Sequence, residues 1–166
     1  MNWDEYFMSM CYFIAMKSKD QNTKNGSVIV GPDNEIRSTG YNSFPRGIND
    51  NLQERQERPE KYYWLEHGER NSIYNAARIG VSLKDCRMYT LGTPCMDCAR
   101  GIVQSGISEV ITHKKWDDSN IEIWNEHAKK SLTLFKEANI KFRIYNDKII
   151  SVIKSRKNKE EFFINE

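Results

Sequence analysis

The chain has no long apolar run. Nothing in its 166 residues approaches the roughly 18 uninterrupted apolar residues of a transmembrane helix, so no membrane span is expected. The opening MNWDEYFMSM carries Asp4 and Glu5 and lacks a basic segment followed by an apolar one. It does not read as a secretory signal, and the cytosol, or its equivalent in a host cell, is the expected compartment. An excess of charge of one sign is also missing. Lys plus Arg number 25 against 23 Asp plus Glu, which gives polynucleotide binding no electrostatic support. The only basic cluster, KSRKNK at 154–159, reads as a solvated tail or helix face. Cysteine is scarce: Cys11, Cys86, Cys95 and Cys98. In a reducing compartment a close pair is more often a metal or redox site than a disulfide. Cys11 falls on an apolar helical stripe and Cys86 opens an apolar run, so both read as small buried hydrophobes. Internal repeats and low-complexity segments are absent.

A hydrophobic content of 39% with 29% charged residues belongs to an ordinary globular protein, and the length is enough for one domain with a sizeable core. That domain is expected over residues 1–150, with a polar tail at 151–166. Trp3, Phe7, Met10, Cys11 and Ile14 follow the 3–4 spacing of an amphipathic helix from Trp3 to about Lys17. SVIV and EIRSTGYN flank the turn GPDN and predict a hairpin. A long polar stretch from Ser43 to Lys61 follows, with Gln, Glu and Arg enough for a short helix. Loops of that length inside a domain are usually functional. A helix from His67 to about Gly80 precedes the strand CRMYTLGT, and Pro94 begins another helix, with Cys95, Cys98, Ala99, Ile102 and Val103 on one stripe and Gly106 closing it. SEVITH is a short strand. The helix from Ile121 to Ala138 buries Trp124, Ala128, Leu132 and Phe135, and KFRIY is the last strand, reached through that helix and therefore parallel to SEVITH. The expected fold is α/β: a three-layer α/β/α sandwich on a mixed five-stranded sheet whose last two strands run parallel.

In HGERNSIYNAAR (67–78), Ile73, Ala76 and Ala77 suit a packed helix, but the opening His67-Gly68-Glu69 does not. Glycine costs a helix about 1 kcal/mol relative to alanine. Taken with Pro94, Cys95 and Cys98, these residues form H-x-E, then 24 intervening residues, then P-C-x-x-C. That is the pattern of zinc-dependent nucleobase deaminases. Cys95 and Cys98, three apart at a helix start, can reach one ion, and the positive helix end favours thiolates. His67 supplies a third, neutral ligand, and a fourth tetrahedral position stays open, as in a catalytic rather than a structural zinc site. Glu69 would point away from His67 on a regular helix, but at the first turn both can lean toward an ion beyond the helix end. The unpaired N–H groups there can bind a base carbonyl, and Glu69 can carry protons between water, ring nitrogen and departing ammonia. His113 and His127 have no partner motif and read as surface or packing residues.

With SKDQNTKNGSVIV, STGYNSFPRG, HGERNSIYNAAR, PCMDCARGIVQSGISEVI and KKWDDS in view, the chain resembles the deoxycytidylate (dCMP) deaminases of the cytidine deaminase superfamily over residues 6–146. The long loop before His67 is also typical of that branch. Bacterial tRNA adenosine deaminases tend to lack it and usually carry methionine at the position of Asp97. The resemblance implies a cytidine deaminase-like fold, one catalytic zinc, and conversion of dCMP and water to dUMP and ammonia. It implies substrate contacts from Asn42 to the sugar, from Trp116 beside the base, from Asn71, and from Gly68, Thr93 and Pro94 around the metal. For Asn42 a turn role and for Trp116 a packing role stand as the alternatives. A nucleotide phosphate needs cations or N–H donors, and Lys24 and Arg46 in matching loops are the candidates. Asp97 can complement the helix dipole. The family is commonly oligomeric, often with dCTP and dTTP as regulators.

Two positions depart from the family. Gly68 stands where alanine is usual, and Gly92 stands where a larger residue, often leucine, is usual. The lost volume predicts a roomier pocket open to a 5-substituted cytosine or another amino-bearing base; the alternatives are neutral drift and a shifted loop in which Thr90 and Leu91 compensate. Other functions weighed are deamination of another nucleotide, a nucleoside or a modified base, editing of a nucleic acid, and a silent zinc scaffold. Editing would want a basic groove with exposed aromatics, and a scaffold would have no need of Glu69.

Overall fold

A computed structural model describes residues 1–118, 122–150, 154–157 and 160–163. The side chains of 122–125, and with them the expected packing of Trp124, lie outside the described residues, as do the side chains beyond 150. Helix α1 spans Trp3–Ala15 and starts where the Asn2 side chain accepts the Glu5 N–H at 2.8 Å, an N-cap that satisfies one of the helix's free donors. Strands β1 (Gly26–Val30) and β2 (Ile36–Tyr41) form the expected antiparallel hairpin. After the loop come α2 (Lys61–Trp64), α3 (Gly68–Ile79), β3 (Arg87–Thr90), α4 (Met96–Gln104) and β4 (Glu109–His113). The short α5 (Lys114–Asp117), α6 (Glu122–Glu137) and β5 (Lys141–Tyr145) complete the domain.

The main sheet has the order β2-β1-β3-β4-β5, with β1 antiparallel to both neighbours. Parallel pairing covers β3 and β4 as well as β4 and β5, because each pair is joined through a helix and such crossovers return a strand in the same direction. The alternation of side chains along each strand divides the core in two. Val28, Val30, Tyr89 and Ile111 pack with Phe7, Met8 and Cys11 of α1 on one face. Ile29, Met88 and Val110 pack with Ala76, Ile102 and Phe135 of α3, α4 and α6 on the other. Cys11 and Cys86 are both in these cores. The three-layer reading holds.

Gly40 lets α3 lie against β2. A Cβ there would fall 2.3 Å from both the Gly68 carbonyl oxygen and the Ser72 nitrogen, so any larger residue would push the helix off the strand.

The polar stretch 43–61 is ordered. Ser43 and Glu66 exchange two backbone hydrogen bonds, of 3.0 and 2.9 Å, closing its ends on each other. Between them, a 3-10 turn at Gln53–Gln56 and helix α2 fold back over residues 19–22. Buried Gln56 donates to the Lys19 carbonyl and accepts the Gln21 N–H.

At the other end of the chain, residues 154–157 of the basic cluster are strand, and 158–159 lie outside the described residues. Strands β6 (Lys154–Lys157) and β7 (Glu160–Phe163) pair antiparallel, with Arg156 opposite Glu161. Four-residue strands are too short to show in sequence periodicity.

Candidate active site

The site forms where α3 and α4 begin, beside the carboxyl end of β3, the usual place for ligands in an open α/β sheet. His67 is the N-cap of α3 and has an extended backbone (φ −74°, ψ 154°). It is therefore off the helical ladder, which is why His67 and Glu69, only two residues apart, line one cavity. Cys95 is likewise the N-cap of α4 (φ −68°, ψ 169°), with Cys98 in the first turn. The His67 Nδ1 lies 3.5 Å from the Cys95 sulfur and 3.6 Å from that of Cys98. Donors bound tetrahedrally to zinc at ordinary Zn–S and Zn–N lengths are about 3.5 Å apart. The spacing of His67 from each sulfur matches that of donors on one tetrahedral zinc, and the three donors, all within 4.8 Å of one another, would hold the ion with a fourth ligand to come from water or substrate.

Charge around this cluster is arranged for a dication. Hydrogen bonds from Cys98 and then His67 hold the Cys95 thiol down to about 3 against the opposing effect of burial. Burial pushes the Cys98 thiol up, and a bound metal ion requires its thiolate form. Burial opposes protonation of His67, but Cys95 and Glu69 outweigh it and raise its pKa. Arg70, next to Glu69, donates to the Cys98 sulfur at 3.7 Å and pairs with Glu66. Its guanidinium offsets thiolate charge.

Glu69 is 3% exposed and is not one of the three converging donors. Burial raises its carboxyl pKa, with the His67 charge opposing. Asn25 aims it: the amide nitrogen donates to Glu69 Oε2 at 3.1 Å, and the amide oxygen accepts the Leu91 N–H at 3.3 Å. Sequence reasoning missed Asn25, which looks like any turn residue before a strand.

The other expected contacts divide into two groups. Asn42, Thr93 and Trp116 line the cavity with Glu69. Asn42 is also a clamp, since its oxygen accepts the first N–H of α3, that of Gly68, at 2.8 Å and its nitrogen donates to the Thr23 carbonyl at 3.0 Å. Asp117 fixes Trp116 from the next position, accepting from the Thr93 N–H at 2.7 Å and the Thr112 hydroxyl at 2.8 Å.

Gly68, Asn71, Pro94, Lys24 and Arg46 are not among the cavity-lining residues. Asn71 instead donates to the Tyr41 carbonyl at 2.8 Å and ties α3 to β2. Arg46 donates to Asn75 on an exposed face.

At neither glycine is the place of a side chain left open. A Cβ on Gly68 would meet backbone of Asn25, Gly40 and Tyr41, each at 3.3 Å, on the strand side of the helix. The space at Gly92 is filled by the indole of Trp116.

Three side chains that would hold a metal ion and a buried carboxylate on the same cavity are the parts of a metal-dependent hydrolytic site. Residues 1–114 match the family described as the cytidine and deoxycytidylate deaminase zinc-binding region. The chain belongs to this family of zinc-dependent deaminases. It is 35% identical over 159 residues to the deoxycytidylate deaminase of Mus musculus, covering 92% of this chain and 85% of that one. An uncharacterized deaminase of Aliivibrio fischeri is 33% identical over 138 residues, 83% of this chain and 90% of the relative. Among solved structures, the dCMP deaminase of cyanophage S-TIM5 in complex with dCMP and dUMP superposes with a TM-score of 0.68. It has 19% identity and covers 85% of this chain and 95% of its own, a likeness of fold.

Proposed function

We propose that the protein hydrolyses dCMP to dUMP and ammonia, and that Glu69 carries the protons. The observation behind this reading is a buried carboxylate that is not a metal ligand, held by Asn25 on a cavity shared with His67 and Cys95. When bound by His67, Cys95 and Cys98, zinc supplies hydrolytic chemistry by acidifying water.

Glu69 takes a proton from the water that attacks C4 and passes it to N3 of the ring. The proton left on the added oxygen then passes through the same carboxylate to the amine; as the C4 carbonyl forms the C4–N bond breaks and ammonia leaves, N3 keeping the first proton. Its raised pKa suits a group that must accept and return a proton. Trp116 packs beside the base, while the remaining hydrogen-bonding capacity of Asn42 faces the sugar. An identity of 35% to a deoxycytidylate deaminase over 92% of the chain supports dCMP over other amino-bearing bases.

Ammonia release by zinc-loaded protein tests the reading against dCMP, CMP, deoxycytidine, dCTP, 5-methyl-dCMP, AMP and a short single-stranded oligonucleotide. Preferential turnover of dCMP is expected. Silence on dCMP with turnover of another member would keep the chemistry and replace the substrate.

A further inference from the structure

The cavity that holds Glu69 extends to a second wall built from Asp20 and the segment leading into α2, and this wall carries two cations, Arg58 and Lys61. They are not equivalent. The Lys61 side chain is 6% exposed and its Nζ sits 2.9 and 3.1 Å from the two oxygens of Asp20, itself 2% exposed. Their charges cancel inside the wall. Asp20 is further held by the N–H groups of Asn22 and Thr23, so Lys61 is committed to the fold. Arg58 is exposed, and no carboxylate among the described residues lies within ion-pairing distance of it. Its guanidinium stands 5.8 Å from the Tyr62 ring centroid, a contact that steadies a cation without neutralising it. A line of hydrogen bonds separates this wall from the metal ligands: Lys61 to Asp20, Asp20 to Thr23, Thr23 to Asn42, and Asn42 to Gly68 beside His67. The cavity therefore has Glu69 and His67 on one wall and, on the other, a wall whose uncompensated charge is positive.

We infer that Arg58 reads the 5′-phosphate of the substrate and makes the enzyme selective for a nucleoside monophosphate over the nucleoside. This rests on the nucleotide reading above, and it moves phosphate recognition from Lys24 and Arg46 to the loop before α2. A guanidinium offers paired N–H donors that match phosphate oxygens, and Tyr62 presents it toward the cavity. Lys61 and Asp20 act as positioning residues for that segment.

The test is calorimetric titration of zinc-loaded, full-length protein and of its Arg58→Gln and Arg58→Lys variants with dUMP, deoxyuridine and inorganic phosphate. Arg58→Gln should weaken dUMP about ten- to a hundredfold, the range for losing a hydrogen bond to a charged group. Deoxyuridine affinity should change less than about twofold on the same scale, and Arg58→Lys should recover part of the loss. Inorganic phosphate alone should bind far more weakly than dUMP, since it lacks the base. Equal weakening of dUMP and deoxyuridine, or no change in either, would overturn the assignment, as would a wild type that binds the two alike. If wild type binds dUMP but does not turn over dCMP, the proposed reaction fails while the ratio of the two affinities still judges Arg58.

Discussion

The indole of Trp116 occupies the place where a side chain at residue 92 would begin. A Cβ built on Gly92 would fall 2.5 Å from Trp116 Cδ1 and 2.8 Å from Nε1. The missing side chain and the tryptophan are thus two halves of one packing arrangement, anchored by the hydrogen bonds of Asp117 to Thr93 and Thr112.

Gly92→Leu should therefore expel the indole from its seat rather than trim an empty pocket. Because about 1 Å of misplacement can cost on the order of a hundredfold in rate, kcat/KM for dCMP should fall at least about tenfold. Combining it with Trp116→Ala should cost less than the sum of the two single changes, since both act on one contact. Steady-state kinetics of the four proteins checks this, and strict additivity would contradict the packing.

The buried pair beneath the loop makes a stability prediction. Lys61→Met leaves the Asp20 carboxylate buried without its cation, a change that costs about 3–5 kcal/mol. Urea unfolding of the variant should show that loss. Adding Asp20→Asn should restore much of it, because the amide no longer carries a charge that needs compensation.

A pH-dependent effect is expected on the opposite face of the sheet. Asp4 accepts two hydrogen bonds from Arg143, at 2.9 and 3.1 Å, and one from the Tyr89 hydroxyl at 2.7 Å. The Arg143 hydrogen bonds lower its pKa, with burial opposing them. A carboxyl depressed in the folded state contributes stability above its unfolded value of about 3.9 and loses it as pH falls through the folded value. Wild type should thus exceed Asp4→Asn by about 1 kcal/mol or less at neutral pH, after solvent screening. The gap should close as urea unfolding is repeated from pH 5 down to about 2.5. A gap that widens toward acid would have the wrong sign.

The grouping of His67, Cys95 and Cys98 beside Glu69 was legible because H-x-E and P-C-x-x-C fix short spacings at two helix starts, and short spacings survive any tertiary arrangement. The sheet was legible from short strand-like runs, the GPDN turn and the helix that links the last two strands; the parallel pairing of β3 with β4 follows from the helix between them in the same way. The second wall of the cavity was not. Lys61 looks like a surface lysine until the fold brings Asp20, 41 residues away, against it. The burial of Glu69 and its link to Asn25 likewise exist only across 44 residues. Gly68 and Gly92 showed the limit most plainly. Sequence reveals a missing side chain but not the neighbour that fills the space, and at Gly92 that neighbour is Trp116.

The most direct test of the division of labour in the site is a paired measurement on wild type and Glu69→Gln: zinc content, and initial velocity of ammonia release from dCMP. Both proteins should retain one zinc per chain, because Glu69 is not a ligand. The variant should lose about a hundred- to ten-thousandfold in kcat, the scale of a general acid–base contribution. Loss of zinc from the variant, or turnover close to wild type, would contradict the assignment of Glu69 as the proton carrier.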